Sequence, residues 1–258
     1  MKATVAHICR YPVKGLSADP LRRVLLRPSE GILGDRRYAI VRGGTLAVSL
    51  PGVRLTENQF VTLANTPRLA LLTTRWIDGA STLTIERDGR QVAWADLSTV
   101  VGRARISDFF SAFLHDPGQP DVGLVDLGDE LSGLAGGTLL TVVSESSLMD
   151  LERVAGHSLD ARRFRPNLIL AGLPAWVELS MIGREIVVGK GLRLRFVQPA
   201  ECRPSANVDP AQGLVDLNLV RSLQRGFGHS YFGVLAQVVT GGVMEVGCKV
   251  SAPLSSVT

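Results

Sequence analysis

The sequence predicts an α+β, β-rich fold in two parts. Three observations predict it. The first hundred residues hold short apolar stretches broken by tight turns, and the second half mixes strands with a well-capped helix. Between them runs Asp116-Pro117-Gly118-Gln119-Pro120, a junction rich in turn residues.

The elements follow in order. Leu21–Leu26 reads as a strand, and Tyr38–Val41 and Leu46–Val48 flank Gly43-Gly44 as a hairpin. Leu83 and Ile85 alternate with polar neighbours. Asp88-Gly89 then turns the chain toward Val92 and Trp94. This is the pattern of a barrel or sandwich. Ile106–Leu114 reads as a helix with Phe109, Phe110 and Phe113 at core spacing. Leu139–Val143 is a buried strand, and Ser144 caps a helix that ends at Gly156. Leu168–Leu170 and Ile186–Val188 are strands. Leu192, Leu194 and Phe196 alternate with Arg193, Arg195 and Val197, so one face is apolar. Gly233–Val239 and Val243–Val250 read as a closing pair around Gly241-Gly242.

Composition narrows the function. The chain has 258 residues, 45% hydrophobic and 20% charged, enough for a real core. Lys and Arg number 28 against 24 Asp and Glu, a formal charge of +4. That is too weak a balance for nucleic acid, and no basic run appears. No apolar stretch is long enough to span a bilayer, and no signal peptide is visible. The three cysteines, Cys9, Cys202 and Cys248, are widely spaced and fit neither a disulfide framework nor a zinc or iron–sulfur site. A cytoplasmic setting fits them best.

Four distant segments carry chemistry. In Tyr11-Pro12-Val13-Lys14-Gly15-Leu16, Gly15 permits close backbone approach and Lys14 offers a point charge, or is a solvated lysine in a turn. In Gly34-Asp35-Arg36-Arg37-Tyr38, a β run would send Arg36 and Arg37 to opposite faces, one toward an anion. Pairing of Asp35 with a neighbouring Arg is the equal alternative. Ser144-Glu145-Ser146-Ser147 opens a helix, which suits an anion or is plain capping. Arg162-Arg163-Phe164-Arg165-Pro166-Asn167 packs three Arg that need an anion or carboxylate if buried. Asn167 both donates and accepts, which suits a heterocycle edge.

In this order YPVKG, GDRRYAIV, VSESSLMDL, RFRPNLIL and NVDP resemble MOSC-domain proteins of the two-part type, the group that includes the mitochondrial amidoxime-reducing component. The resemblance spans roughly residues 1–250 and implies a MOSC β-barrel domain (120–258) preceded by a smaller N-terminal β-barrel-like domain (1–115). It implies the pyranopterin molybdenum cofactor (Mo-molybdopterin), with Cys202 as the metal-ligating, catalytic thiolate. Lys14, Gly15 and Arg36 would meet its phosphate or pterin, with Ser144 and Ser146 near the pterin and Arg165 and Asn167 on its edge. The implied reaction is reduction of an N-hydroxylated small molecule. With no flavin, haem or iron–sulfur motif present, a separate electron-transfer protein is expected. A carrier that uses a Cys202 persulfide, or a metal-free binding protein, is the alternative.

One departure stands out. The family's Cys follows an Arg and lies six residues before the Asp of the VDP motif. Here Cys202 precedes Arg203 and lies seven before Asp209. In an extended strand a one-residue shift reverses the face. Either a bulge near Pro204 returns Cys202 to the pocket, or Arg203 faces it. Trp176-Val177-Glu178 also departs, with an acid after the Trp where the family has a pair before it. His7, His115, His157 and His229 are scattered. His229 reads as a surface residue, or as part of a loop at the substrate mouth.

Overall fold

The computed structural model describes residues 3–43, 57–77, 79–117, 120–128 and 139–251. The expected strand Leu46–Val48 and the junction residues Gly118 and Gln119 lie outside them. In chain order the strands are β1 (Ala3–Arg10), β2 (Val13–Lys14), β3 (Asp19–Leu21), β4 (Arg23–Leu26), β5 (Tyr38–Arg42), β6 (Leu72–Ile77), β7 (Thr82–Arg87) and β8 (Arg90–Asp96). Helix α1 (Val100–Phe113) and β9 (Val122–Asp126) complete the first half. The second half runs β10 (Leu140–Ser144), α2 (Glu145–Ala155), β11 (Leu168–Ala171), α3 (Val177–Ser180), β12 (Glu185–Val188) and β13 (Leu192–Glu201). It ends with α4 (Leu219–Phe227), β14 (Tyr231–Thr240), β15 (Gly242–Glu245) and β16 (Lys249–Ser251).

The main sheet runs β11-β10-β14-β13-β12-β16-β1-β3, and β11 also pairs with β1. That last pairing closes a barrel of seven strands, with β3 attached outside the ring. Strand β1 therefore completes the barrel of the second half, although it lies at the front of the sequence. Closure removes the open edges of an unfinished sheet.

Alternation fills the barrel. Leu140 and Val142, Leu168 and Leu170, and Leu192, Leu194 and Phe196 point inward. Two phase breaks matter. The β1–β11 register shifts between Val5 and His7, so Val5 and Ile8 both reach the core although their numbers differ in parity. Gly233 has φ +77, and a Cβ there would stand 2.3 Å from Val142 O. Beyond it Phe232 leaves the barrel core and joins an outer layer. That layer packs Val143, Ile169 and Phe232 of the barrel wall against Leu151 of α2 and Leu219 and Leu223 of α4.

The first half builds its own core from the sheet β2-β5-β9, the meander β6-β7-β8 and α1. Three sequence expectations are corrected here. Helix α1 starts at Val100, capped by the Thr99 hydroxyl accepting from Gly102 N at 2.9 Å, and not at Ile106. Val100 and Val101 are 74% and 80% exposed, so apolar residues on the wet face blur the amphipathic period. Of the three phenylalanines, Phe110 is buried; Phe109 and Phe113 only lean on the core. Finally, β14 and β15 do not pair across Gly241-Gly242. Strand β15 pairs with β4, and β16 pairs with β1 and β12. The chain makes no hairpin at Gly241; it leaves the barrel there for a separate two-stranded sheet. Among the described residues no helix is long and apolar enough to cross a membrane.

Candidate functional site

Two of the expected site residues, Arg36 and Arg165, lie over one ring, that of Tyr11, and a third, Asn167, bonds to Arg36. Arg36 does not continue a strand. It has φ +53, in the left-handed region, which corrects the expected β run and its opposed arginines. That turn of backbone brings Arg36 and Arg37 to different partners. Arg37 pairs with Asp126 on β9 at 3.1 Å. Arg36 donates to Asp35, to Asn167 Oδ1 at 3.1 Å and to Arg165 O at 2.9 Å. Arg165 also has positive φ, +52, and donates from Nη1 to Leu16 O at 2.6 Å. Both guanidinium groups lie over the Tyr11 ring, Arg165 at 4.2 Å and Arg36 at 5.2 Å.

Asp35 is the hub. Its side chain is 0% exposed. It accepts from Tyr11 N at 2.7 Å and from Asn167 Nδ2 at 3.0 Å, besides Arg36. The reading of Asp35 as a partner for a neighbouring Arg holds, and sequence alone did not show its reach. Asn167 is buried with its capacity used inside the protein. It donates to Cys9 O at 3.1 Å and to Asp35, and accepts from Thr141 N at 3.0 Å and from Arg36. It braces the cradle from behind. Gly15 has φ +90, and a Cβ there would meet Val61 O at 3.3 Å. The close approach it permits is to the chain's own backbone. Lys14 sits with its Nζ 3.8 Å from the centre of the Phe60 ring.

Polar atoms remain unanswered in this region. Tyr11 Oη and Arg165 Nη2 are buried without a hydrogen-bond partner among the described residues. Burial pulls Arg165 down to about 10, against the pull of the Tyr11 oxygen. Burial likewise pushes the Tyr11 hydroxyl well above its ordinary range. A buried guanidinium without a carboxylate of its own has the chemistry to receive an anion.

Ser144 closes β10, the strand whose Thr141 holds Asn167, and its hydroxyl is also buried and unpartnered. It occupies the N-cap position of α2 but makes no side-chain cap bond, so the expected capping role is absent. Ser146 follows in the first turn, half-buried.

Cys202 lies elsewhere in the layering. It is 5% exposed, in the outer layer with Val143, Ile169, Ala206 and Phe232. Burial, and next the charge of Glu201, push its thiol up to about 12. Arg203 is exposed and precedes a 3-10 turn over Pro204–Asn207. Tight winding, not a strand, thus separates Cys202 from Asp209. The face-reversal argument does not apply there, and Cys202 is the residue that turns inward. No hydrogen bond or ion pair links Cys202 to the cradle; the tie is Phe164, which stacks on Phe232 at 3.8 Å while its neighbour Arg165 belongs to the cradle. Among the described residues no three His, Cys, Asp or Glu side chains gather as a metal site. A cleft of about 720 Å³ between Arg42, Thr66, Arg68, His115 and Gly213 contains none of these residues.

The three arginines before β11 divide their work. Arg162 pairs with Asp160. Arg163, 3% exposed, holds Asp216 at 2.6 Å and Asp209 at 3.2 Å. Only Arg165 faces the cradle.

Trp176 and Glu178, whose order departs from the family's, belong to one further network. Trp176 has φ +64. Its N–H donates to Ser147 Oγ at 2.8 Å and its indole to Asp150 at 2.7 Å. Ser147 in turn donates to Glu178 Oε1 at 2.7 Å. Glu178 is 0% exposed, and its Oε2 has no partner. Burial raises the Glu178 carboxyl above its ordinary 4.5, and the Ser147 bond offsets part of that. The folded state therefore holds this proton more tightly than the unfolded chain. Its stabilisation is complete below the unfolded value and is lost as pH rises through the folded one. We expect Glu178→Gln to flatten the fall in Tm with rising pH above about 4.5, measured by thermal melts from pH 4 to 8. Parallel profiles for the two proteins would contradict this.

Comparison with known proteins agrees with this architecture. The model of the MOSC N-terminal beta barrel domain matches residues 2–117, and that of the MOSC domain matches residues 135–251. The chain therefore belongs to the MOSC-domain proteins that carry this N-terminal beta barrel domain. No curated protein matches it significantly. Among solved structures, the YUAD protein from Bacillus subtilis is 12% identical with a TM-score of 0.43, over 97% of this chain and 94% of that one. YiiM from Geobacillus stearothermophilus is 21% identical with a TM-score of 0.33, over 46% of this chain and 55% of that one. Likenesses this loose carry no functional argument.

Proposed function

We propose that the chain binds the molybdenum cofactor and reduces N-hydroxylated small molecules with electrons from a separate electron-transfer protein. One observation supports the cofactor reading above others. In a MOSC chain, Arg165 Nη2 and the Tyr11 hydroxyl are both buried without partners among the described residues, and Arg165 and Arg36 both lie over the Tyr11 ring. That donor set fits an anionic group joined to a polar heterocycle. Arg36, Arg165 and Tyr11 would bind the anionic part, with Lys14, Ser144 and Ser146 at its margins. Cys202 would supply the thiolate, a soft ligand suited to molybdenum. A thiol that coordinates metal gives up its proton outright, which answers the high value that burial imposes on Cys202.

The bound cofactor supplies two-electron chemistry. The balance is one N–O bond broken, two electrons and two protons taken up, and water released. The protein's part is to fix cofactor and substrate and to exclude side reactions. The alternative, a persulfide carrier, needs an accessible and acidic thiol. Cys202 is buried, and burial and the charge of Glu201 raise its thiol.

Metal and pterin content decide between these readings. Protein from a cofactor-competent host should carry about one molybdenum per chain, since the proposed cradle would hold one anionic pterin. It should reduce an amidoxime with a reduced viologen dye. Losing a charge-assisted donor removes about 1.5–3 kcal/mol, so Arg165→Ala should lower cofactor retention about 10- to 100-fold. Cys202→Ala should remove turnover. Metal-free wild-type protein, or full cofactor content in Arg165→Ala, would refute the reading.

A further inference from the structure

Aromatic residues gather in the layer that holds Cys202. Cys202 N donates to Ser230 O at 2.8 Å, and Glu201 pairs with Tyr231 across β13 and β14. The segment His229–Tyr231 is thus clamped to the strand end that presents Cys202. From it, rings run in series. Phe227 and His229 lie 6.1 Å apart at 24°, and His229 and Tyr231 lie 5.9 Å apart at 26°. Trp176 stands against this series, 4.2 Å from Phe227 and 5.6 Å from His229, edge to face with the imidazole. Tyr231 is 40% exposed, so the series of near-parallel rings ends at solvent. His229 is half-buried within it, a correction to its reading as a surface residue.

Two features make this a prepared surface. Trp176 is a bulky residue at positive φ, a conformation that persists only where the surroundings hold it. Ser147 and Asp150 hold it from both ends. His229 Nδ1 accepts from Tyr231 N at 3.3 Å, so in the neutral ring the proton resides on Nε2. The imidazole is fixed, with its donor directed away from the backbone. Rigid aromatic faces give stacking energy without first paying to be ordered.

We infer that Trp176, Phe227, His229 and Tyr231 form a recognition wall that favours substrates carrying their reactive group on a planar aromatic ring. The ring stacks on Tyr231 and His229, and Trp176 backs the stack. The nature of the reactive group rests on the proposed function; the preference for a ring does not.

Benzamidine and acetamidine test it, because they share a head group, differ in the ring, and contain no N–O bond to reduce. Calorimetric titration of the chain should show benzamidine binding about tenfold tighter. Tyr231→Ala and His229→Ala should each erase most of that preference with the fold intact by circular dichroism, and Tyr231→Phe should restore it. Equal affinities in the wild-type chain, or a preference untouched by both alanine variants, would overturn the inference. A chain without molybdenum that still prefers benzamidine would defeat the oxidoreductase reading and leave the wall standing. A loaded, active chain that binds both amidines equally would do the reverse.

Discussion

Asp35→Ala is expected to lower stability by about 3–5 kcal/mol and to empty the cradle of cofactor. The size follows from what Asp35 answers. Its removal strands the Tyr11 N–H and one Asn167 Nδ2 hydrogen, and leaves Arg36 beside Arg165 with no counter-charge. Each buried unsatisfied donor costs about 1–3 kcal/mol. Asp35→Asn separates geometry from charge. It keeps an oxygen for Tyr11 N, so stability should recover in part. The two guanidiniums would still repel, so molybdenum and pterin content should stay low. Urea denaturation measures the first effect and elemental analysis the second. Near-wild-type stability in Asp35→Ala would remove Asp35 from its place as hub.

Arg163→Ala should destabilise by about 3 kcal/mol, the low end for breaking a buried ion pair. The low end applies because Asp209 and Asp216 keep 21% and 37% side-chain exposure and can rehydrate. The arginine does more than pair. It also donates to Ala206 O at 3.4 Å, so one planar group ties the 3-10 turn after Cys202 to the loop beyond it. Lysine cannot reproduce that fork, and Arg163→Lys should recover less than half of the loss. Denaturant midpoints check both variants. Loosening of the turn should also appear as faster amide exchange at Ala206 and Val208. A variant with full stability and unchanged exchange would mean the turn stands without the arginine.

The sequence made the β-rich class and most strands legible because alternation is written in nearest neighbours. It made pairing less legible. Gly241-Gly242 carries an ordinary hairpin signal, yet β15 pairs with β4, more than 200 residues earlier, in a separate two-stranded sheet. The cradle was partly legible. Lys14, Arg36, Arg165 and Asn167 stood out as polar residues in suggestive places, and Arg36, Arg165 and Asn167 do meet. Their division of labour was hidden. Whether an Asn faces a ligand or a carbonyl depends on strands far apart in the chain, and Cys9 O is 158 positions from Asn167. Tyr11 gave no signal, since a buried aromatic looks like core until its hydroxyl is seen to lack a partner. At Cys202 the spacing argument assumed extended chain, and the 3-10 turn removed its premise.

Strand β1 gives the molecule a sense of time. Residues 3–10 emerge well before their partners Leu168–Ala171 and Lys249–Ser251. At about 5–20 residues per second, β1 waits some tens of seconds for its last neighbour. The meander β6-β7-β8 pairs only within residues 72–96 and can form long before that. Assembly should therefore run from the middle of the chain outward. The cradle, which needs Tyr11 just after β1 and Arg165 just before β11, would be among the last features to exist. A nascent chain halted before residue 168 would lack the cradle, so any cofactor of the kind proposed would have to load after most of translation.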